Sequence, residues 1–137
     1  MPDVVVTIGD QRFEASLEPA LAPKTCEAFV RLLPYRQKII HVRWSGEACW
    51  IPLGGLDLAL PFENATSYPA PGQFLFYPGG YSETEILLAY GPTQFSSKLG
   101  QLAGNPFLTI VDGLDRLAAL GPQVLWQGAQ NISFDVG

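Results

Sequence analysis

Apolar and polar residues alternate with a period of two at the start of the chain. "DVVVTI", a "GD" turn and "QRFEASL" read as the two strands of a hairpin, with Phe13, Ala15 and Leu17 on one face. The period then changes. In "EPALAPKTCEAFVRLLP", Cys26, Phe29, Val30 and Leu33 recur at helical spacing, Pro23 suits a first turn and Pro34 ends the run. A short amphipathic helix is predicted over roughly residues 23 to 33.

From Lys38 to Ile51 the pattern is strand-like, and Gly46 marks a bulge or a tight turn, so two short strands or one long bent one fit equally. Pro52 to Pro71 is crowded with turn residues around "LDLAL" and reads as loop with one or two short strands. "FLFY" and "EILLAY" flank the wide turn "PGGYSET" and are apolar on both faces, which places them at the centre of a core or beneath an oligomer interface. "SSKLGQLAGN" reads as an exposed loop and "PFLTIV" as a buried strand. "DGLDRLAALG" is predicted as a second short helix, with Asp112 at the N-cap, Leu114, Leu117 and Ala118 on one face, and a stop at Gly121. "QVLWQGAQNISFDV" supplies one or two closing strands. The order of about eight strands and two helices predicts a mainly β fold: a closed antiparallel eight-stranded barrel with two short capping helices. Closure removes the edges that so apolar a chain would expose.

Composition sharpens this picture in three places. The 137 residues suffice for one domain, and 47% hydrophobic against 15% charged residues, with 14 Gly and 12 Pro, describe a compact, turn-rich chain. A net charge of -5 without any Lys/Arg cluster excludes a nucleic-acid interface. "MPDVVVTIGD" lacks the pattern of a signal peptide, and no run nears the roughly 20 apolar residues of a membrane span, so no membrane partner and a cytoplasmic location are expected. Two isolated cysteines and one histidine do not make a zinc site, and neither metal nor cofactor is expected.

Two segments carry a resemblance. "APKTCEAFVRLLP", following "IGDQRFEASLEPA", is similar to the first helix of cyclophilins and its P-K-T-C-E-N-F run, and "NPFLTIVDGLDRLAAL" is similar to their strand leading into a V-x-G-L-D-x-L helix. The middle departs from the prolyl isomerases, because "IIHVRWSGEACWIPLGG" lacks their F-M-x-Q continuation. "RWSGEACWIPL" and "PAPGQFLFYPGGYSETEILLAYGPTQF" instead resemble the small bacterial and archaeal cyclophilin-like proteins of unknown function, of the DUF3830 or DUF369 type. The resemblance implies a cyclophilin-like barrel with a pocket, and no established activity.

Candidate chemistry centres on Arg43. In an extended strand Arg43, Ser45 and Glu47 share parity, with Trp44 and Trp50 facing the other side. The tryptophans would then face the core and Arg43 and Glu47 a groove, or else Arg43 and Glu47 form a solvated ion pair. In prolyl isomerases the corresponding arginine hydrogen-bonds the prolyl amide, which the resemblance carries to Arg43. His41 has the same parity and is either a general acid or base or a structural residue. After the Gly79-Gly80 turn, alternation puts Glu83 and Glu85 on one side, next to Ser82; the pair either shares a proton or binds a cation, or is a solvated turn. Asn64, Tyr68, Tyr77 and Tyr81 are candidates to line a pocket, Asn64 being explained equally by turn chemistry. Cys49 lacks a basic neighbour that would make it a nucleophile, Ser96, Ser97 and Lys98 read as loop, and Trp44, Trp50 and Trp126 read as core. Three functions follow: binding of a small carboxylate or amide, or of a peptide, around Arg43, with proton or lactam chemistry if catalytic; weak prolyl isomerisation; or a non-catalytic accessory role as a homo-oligomer.

Overall fold

The computed structural model of the protein describes residues 2–137. The opening hairpin is β1 (Val4–Ile8) and β2 (Gln11–Leu17), followed by helix α1 (Pro23–Leu32) and β3 (Tyr35–His41). A 3-10 turn at Arg43–Ser45 leads into β4 (Gly46–Gly54). After a long loop come β5 (Gln73–Tyr77), β6 (Thr84–Thr93), the two-residue strands β7 (Ser96–Ser97) and β8 (Gly100–Gln101), β9 (Asn105–Asp112), helix α2 (Leu114–Gln127) and β10 (Gln130–Val136). Eight of the strands close an antiparallel barrel in the order β1-β10-β3-β4-β6-β5-β9-β2, and β7 with β8 forms a separate hairpin.

Alternation decides what fills the barrel. Val4, Val6 and Ile8 of β1, Phe13 and Ala15 of β2, Phe74 and Phe76 of β5, and Ile132 and Phe134 of β10 are all buried in one cluster. Phe29 of α1 plugs one end, its ring 4.9 Å from Phe107 and 5.1 Å from Phe134 in edge-on packing. Each such ring contributes roughly 1.5–3 kcal/mol of burial free energy. Leu117, Leu120 and Val124 of α2 join the same core at the strand ends near Tyr90.

The apolar outer face of β5 and β6 is covered from within the chain. Ile86, Leu88 and Tyr90 point inward, while Leu75 and Leu87 point outward and pack with Phe95 and Leu102 of the segment that carries the β7–β8 hairpin. Phe95 N donates to Ser67 O at 2.7 Å and Leu102 N to Phe95 O at 2.9 Å, which holds this flap down. Gly104 lets it approach: a Cβ there would lie 2.9 Å from Leu75 Cβ. The two-sided apolarity of these strands is thus satisfied in one chain and supplies no argument for self-association. "SSKLGQLAGN" is a structured flap and not a free loop.

Two helix boundaries differ from the prediction. The N-cap of α2 is Gly113 and not Asp112, which still belongs to β9. The helix also continues through Gly121 and Pro122 to Gln127, taking in residues expected to form a strand. Gly121 serves close packing instead of termination, since a Cβ there would sit 2.4 Å from the Tyr90 ring. At α1 the Ala22 N-cap has no side chain to offer, and Glu63 caps from the long loop. Its carboxylate accepts from Thr25 N at 2.8 Å, Lys24 N at 3.1 Å and Thr25 Oγ1 at 2.7 Å. Fully buried Asn105 locks the arrangement, accepting from Glu63 N at 2.8 Å and donating to Thr25 Oγ1 at 3.1 Å and Pro61 O at 2.9 Å.

Candidate functional site

The run from His41 to Glu47 is not extended. His41 ends β3, the chain turns at Arg43–Ser45 after Val42, and Gly46 at φ 113° starts β4 with a Cβ position only 2.6 Å from Pro92 O. That turn undoes the shared parity and reverses the expected facing. Ser45 is buried, its Oγ donating to Ser96 O and accepting from Ser96 N, both at 3.1 Å. Trp44 swings over the flap, where Nε1 donates to Ser96 O at 3.1 Å, and its ring stands edge-on to Trp50, 5.9 Å between centroids. Trp44 and Trp50 therefore line a cleft instead of the core, and Trp126 is 82% exposed on α2.

Arg43 and Glu47 are exposed, and the Arg43 to Glu47 ion pair does not form among the described residues, whose ion pairs are Arg12 to Glu14, Arg31 to Glu27 and Arg36 to Asp135. Glu47 instead lies against Gly91, where a Cβ would come within 2.7 Å of its Oε1. His41 is inside the barrel end. Its Nε2 is 2.6 Å from Tyr90 Oη, and Nδ1 is buried without a partner. Burial first, and then the Arg43 charge, lower its pKa, with Glu47 opposing, so the imidazole is held neutral. The void beside this pair, lined by Cys49, Leu88, Tyr90 and Gly121, has about 10 Å³ of free space, too little for a ligand. Burial pushes the Cys49 thiol up to about 12, which leaves it inert as a nucleophile.

The open cleft lies on the outer face of β4 and β6, under the flap. It has a volume of about 540 Å³, with Trp44 and Trp50 on one wall, Tyr81, Ser82 and Glu83 on another, Ser96, Ser97, Lys98 and Leu99 along the flap, and Glu85 among its lining. Parity explains Glu85. It follows the outward series Ala89, Leu87, Glu85 along β6, opposite Pro52 of β4 and Tyr77 of β5. It is 2% exposed, and neither a hydrogen bond nor an ion pair reaches its carboxyl among the described residues. Burial, and then the neighbouring Glu83, raise its pKa to about 8, so the group is a neutral acid at pH 7.

The loop that presents Glu83 is braced from both sides. Tyr77 Oη accepts from Tyr81 N and Ser82 N, each at 3.1 Å, and Tyr81 Oη donates to Leu99 O across the cleft. Thr84 Oγ1 donates to Leu56 O at 2.6 Å, and Gly79, at φ 97°, leaves that hydroxyl room that a Cβ 2.9 Å away would take. Beyond Tyr81 a second hollow of about 380 Å³ opens between Phe62, Tyr77 and Leu102. Of the candidates read from the sequence, Tyr81, Ser82, Glu83 and Glu85 meet in one cleft, with Tyr77 behind them. Arg43, Glu47 and His41 do not reach it, Tyr68 is 65% exposed, and Asn64 ties the loop to the turn before α1 by donating to Leu21 O at 2.8 Å. The tryptophans and the Ser96 to Leu99 rim were the missed members. Their signal was indirect: β6 is apolar outward as well as inward, so something had to cover it.

The chain is a mainly β protein, a closed eight-stranded antiparallel barrel with two helices and a cleft on its outer sheet face. The chain belongs to the family described as protein of unknown function DUF3830, whose model matches residues 4–136. Among the solved structures that share the fold are two from different proteins. McbB, determined in complex with tryptophan, superposes with a TM-score of 0.73 at 16% identity, over 97% of this chain and 44% of McbB. The chain thus spans less than half of McbB's length. The solution structure of the hypothetical protein AF2241 from Archaeoglobus fulgidus gives a TM-score of 0.63 at 18% identity, over 98% of this chain and 93% of AF2241. No curated protein shows significant sequence similarity. Among the described residues, no helix is long and apolar enough to cross a membrane.

Proposed function

We propose that the protein binds a small planar ligand bearing a carbonyl group in the cleft between Trp44, Trp50 and Tyr81, over Glu85. One observation carries the reading: Glu85, a residue only 2% exposed whose carboxyl has no partner among the described residues, opens onto an aromatic cleft. An unpaired buried carboxyl costs folding free energy, and such groups concentrate where function uses them. The 540 Å³ volume lies within the range of small-molecule sites, and the aromatic walls suit a flat apolar body. McbB, of the same fold, was determined with tryptophan bound, an occupant of the kind such walls suit. The ligand anchor is therefore moved from Arg43 to Glu85. Prolyl isomerisation, which needs an arginine over a groove, draws no support from an exposed Arg43.

Thermal shift with planar amides and carboxylates tests this. A ligand at a hundredfold its Kd stabilises by about 2.7 kcal/mol, which at about 4 °C per kcal/mol raises Tm by roughly 10 °C. The shift is expected to vanish in Trp44→Ala and to persist in Trp126→Phe, since only the first residue lines the cleft. Stabilisation indifferent to Trp44→Ala would refute the assignment.

A further inference from the structure

The polar chemistry of the cleft goes further than its shape. Its rim carries one exposed cation, Lys98, and one exposed anion, Glu83, and its other polar side-chain groups besides Glu85 are the hydroxyls of Tyr81, Ser82, Ser96 and Ser97 and the indole N–H groups of Trp44 and Trp50. Rim charge is balanced, so neither an anionic nor a cationic ligand gains from it. Below the rim, Glu85 pairs with Tyr77 of β5 and Pro52 of β4 in the sheet, and among the described residues its carboxyl has no donor, acceptor or counter-ion. An ionised carboxylate in that position would need water or a cation to satisfy it. A neutral carboxyl needs one acceptor for its O–H and one donor for its C=O, side by side.

We infer that the ligand recognised in this cleft carries an uncharged carboxamide, whose C=O accepts from the Glu85 hydroxyl while its N–H donates to the Glu85 carbonyl oxygen. This rests on the binding reading above and names the group that Glu85 selects. The pair of hydrogen bonds closes a ring in which every polar atom is used. A ligand carboxylate would bring a second anion toward Glu83 and has no N–H for the carbonyl oxygen. An ammonium has no acceptor for the hydroxyl and leaves it unpaired until Glu85 gives up its proton. The titratable or charged groups facing Glu85 are Glu83 and Tyr81 of its own loop, Tyr77 of β5 and Lys98 of the flap, while β4 presents only Pro52 and Trp50. Of these, Glu83 is the charge that acts on Glu85.

The test is calorimetric titration of the whole protein with phenylacetamide, phenylacetate and phenethylamine, which share a ring and differ in the polar head. At pH 6.5 the amide is expected to bind at least tenfold more tightly than either charged analogue. With a midpoint near pH 8, the neutral fraction of Glu85 falls from about nine-tenths at pH 7 to about one-tenth at pH 9, so amide affinity drops about tenfold. Glu85→Gln keeps a donor and an acceptor at every pH, and is expected to bind the amide within about threefold of wild type with a flat pH profile. Glu85→Leu is expected to lose the preference. Both variants put a neutral group where a carboxyl was buried, and their folding is checked by circular dichroism. Preference for the acid or the amine, abolished by Trp44→Ala, overturns the carboxamide and leaves the cleft reading standing. Absence of binding by all three, or amide binding that ignores Trp44→Ala or rises with pH, overturns the inference, and the wider thermal-shift panel then judges the cleft.

Discussion

Replacing Glu85 by Gln should make the unliganded protein more stable, and by an amount that grows with pH. In the folded chain the carboxyl titrates near 8, and in the unfolded chain near its ordinary 4.5. Between those values the native state holds a proton that the unfolded state has released, so stability falls as pH rises; it is fully retained below 4.5 and the loss is complete above about 8. Each pH decade in that window costs about 1.4 kcal/mol, so the interval from pH 5 to pH 8 amounts to about 4 kcal/mol. Set against a total of roughly 5–15 kcal/mol for a domain, that is a large fraction. Glutamine has the same shape and no titration, so the difference between variant and wild type isolates this group from every other. Urea unfolding followed by tryptophan fluorescence at pH 5, 6.5 and 8 measures it. At a slope of about 2 kcal/mol/M, the gap between the two midpoints should widen by about 2 M from pH 5 to pH 8. Parallel midpoints across that range would show that Glu85 is solvated or paired in solution, and the arguments built on its isolation would fall with it.

Two further outcomes probe the frame that holds the cleft. Glu63→Ala removes three acceptor contacts to the start of α1 and should cost about 1–3 kcal/mol by chemical denaturation. Although burial pushes the Glu63 carboxyl up, the bonds from Thr25 and Lys24 and the Lys24 charge outweigh it and lower the pKa, so the wild-type advantage is present at neutral pH and shrinks as acid protonates the folded carboxylate. A loss that stayed constant into acid would contradict an ionic cap. Gly121→Ala should destabilise by about 1–3 kcal/mol by overpacking against Tyr90, even though alanine is the better helix former by about 1 kcal/mol. A rise in the urea midpoint would mean that α2 stands further from the barrel than the 2.4 Å approach implies.

The chemistry of the cleft was half legible. Glu83 and Glu85 could be paired from alternation alone, because a strand places every second residue on one face whatever surrounds it. Tyr81 and Ser82 came with them through the Gly79-Gly80 turn. Arg43 misled for the same reason: parity holds only while the strand lasts, and although Gly46 marked a bulge or turn, it did not reveal that Arg43–Ser45 had already left the strand. Gly121 read as a helix stop because a glycine in sequence does not reveal whether it supplies a conformation or a gap; the Tyr90 ring lies 31 positions earlier in the chain.

What the chain decides on its own is therefore local and periodic: which segments are strands, which two are helices, which faces are apolar, and hence that a closed barrel buries them. The hydrophobic effect acts on pattern, and pattern is written residue by residue. Where the cleft lies was settled only by tertiary packing. Ser45 and Trp44 meet Ser96, Tyr81 reaches Leu99, and Thr66 pairs with Gly104, contacts spanning 18 to 52 residues. Each depends on a flap finding the outer face of β5 and β6. Burying Glu85 is a consequence of that closure, and a carboxyl's chemistry follows from what surrounds it more than from its place in the sequence.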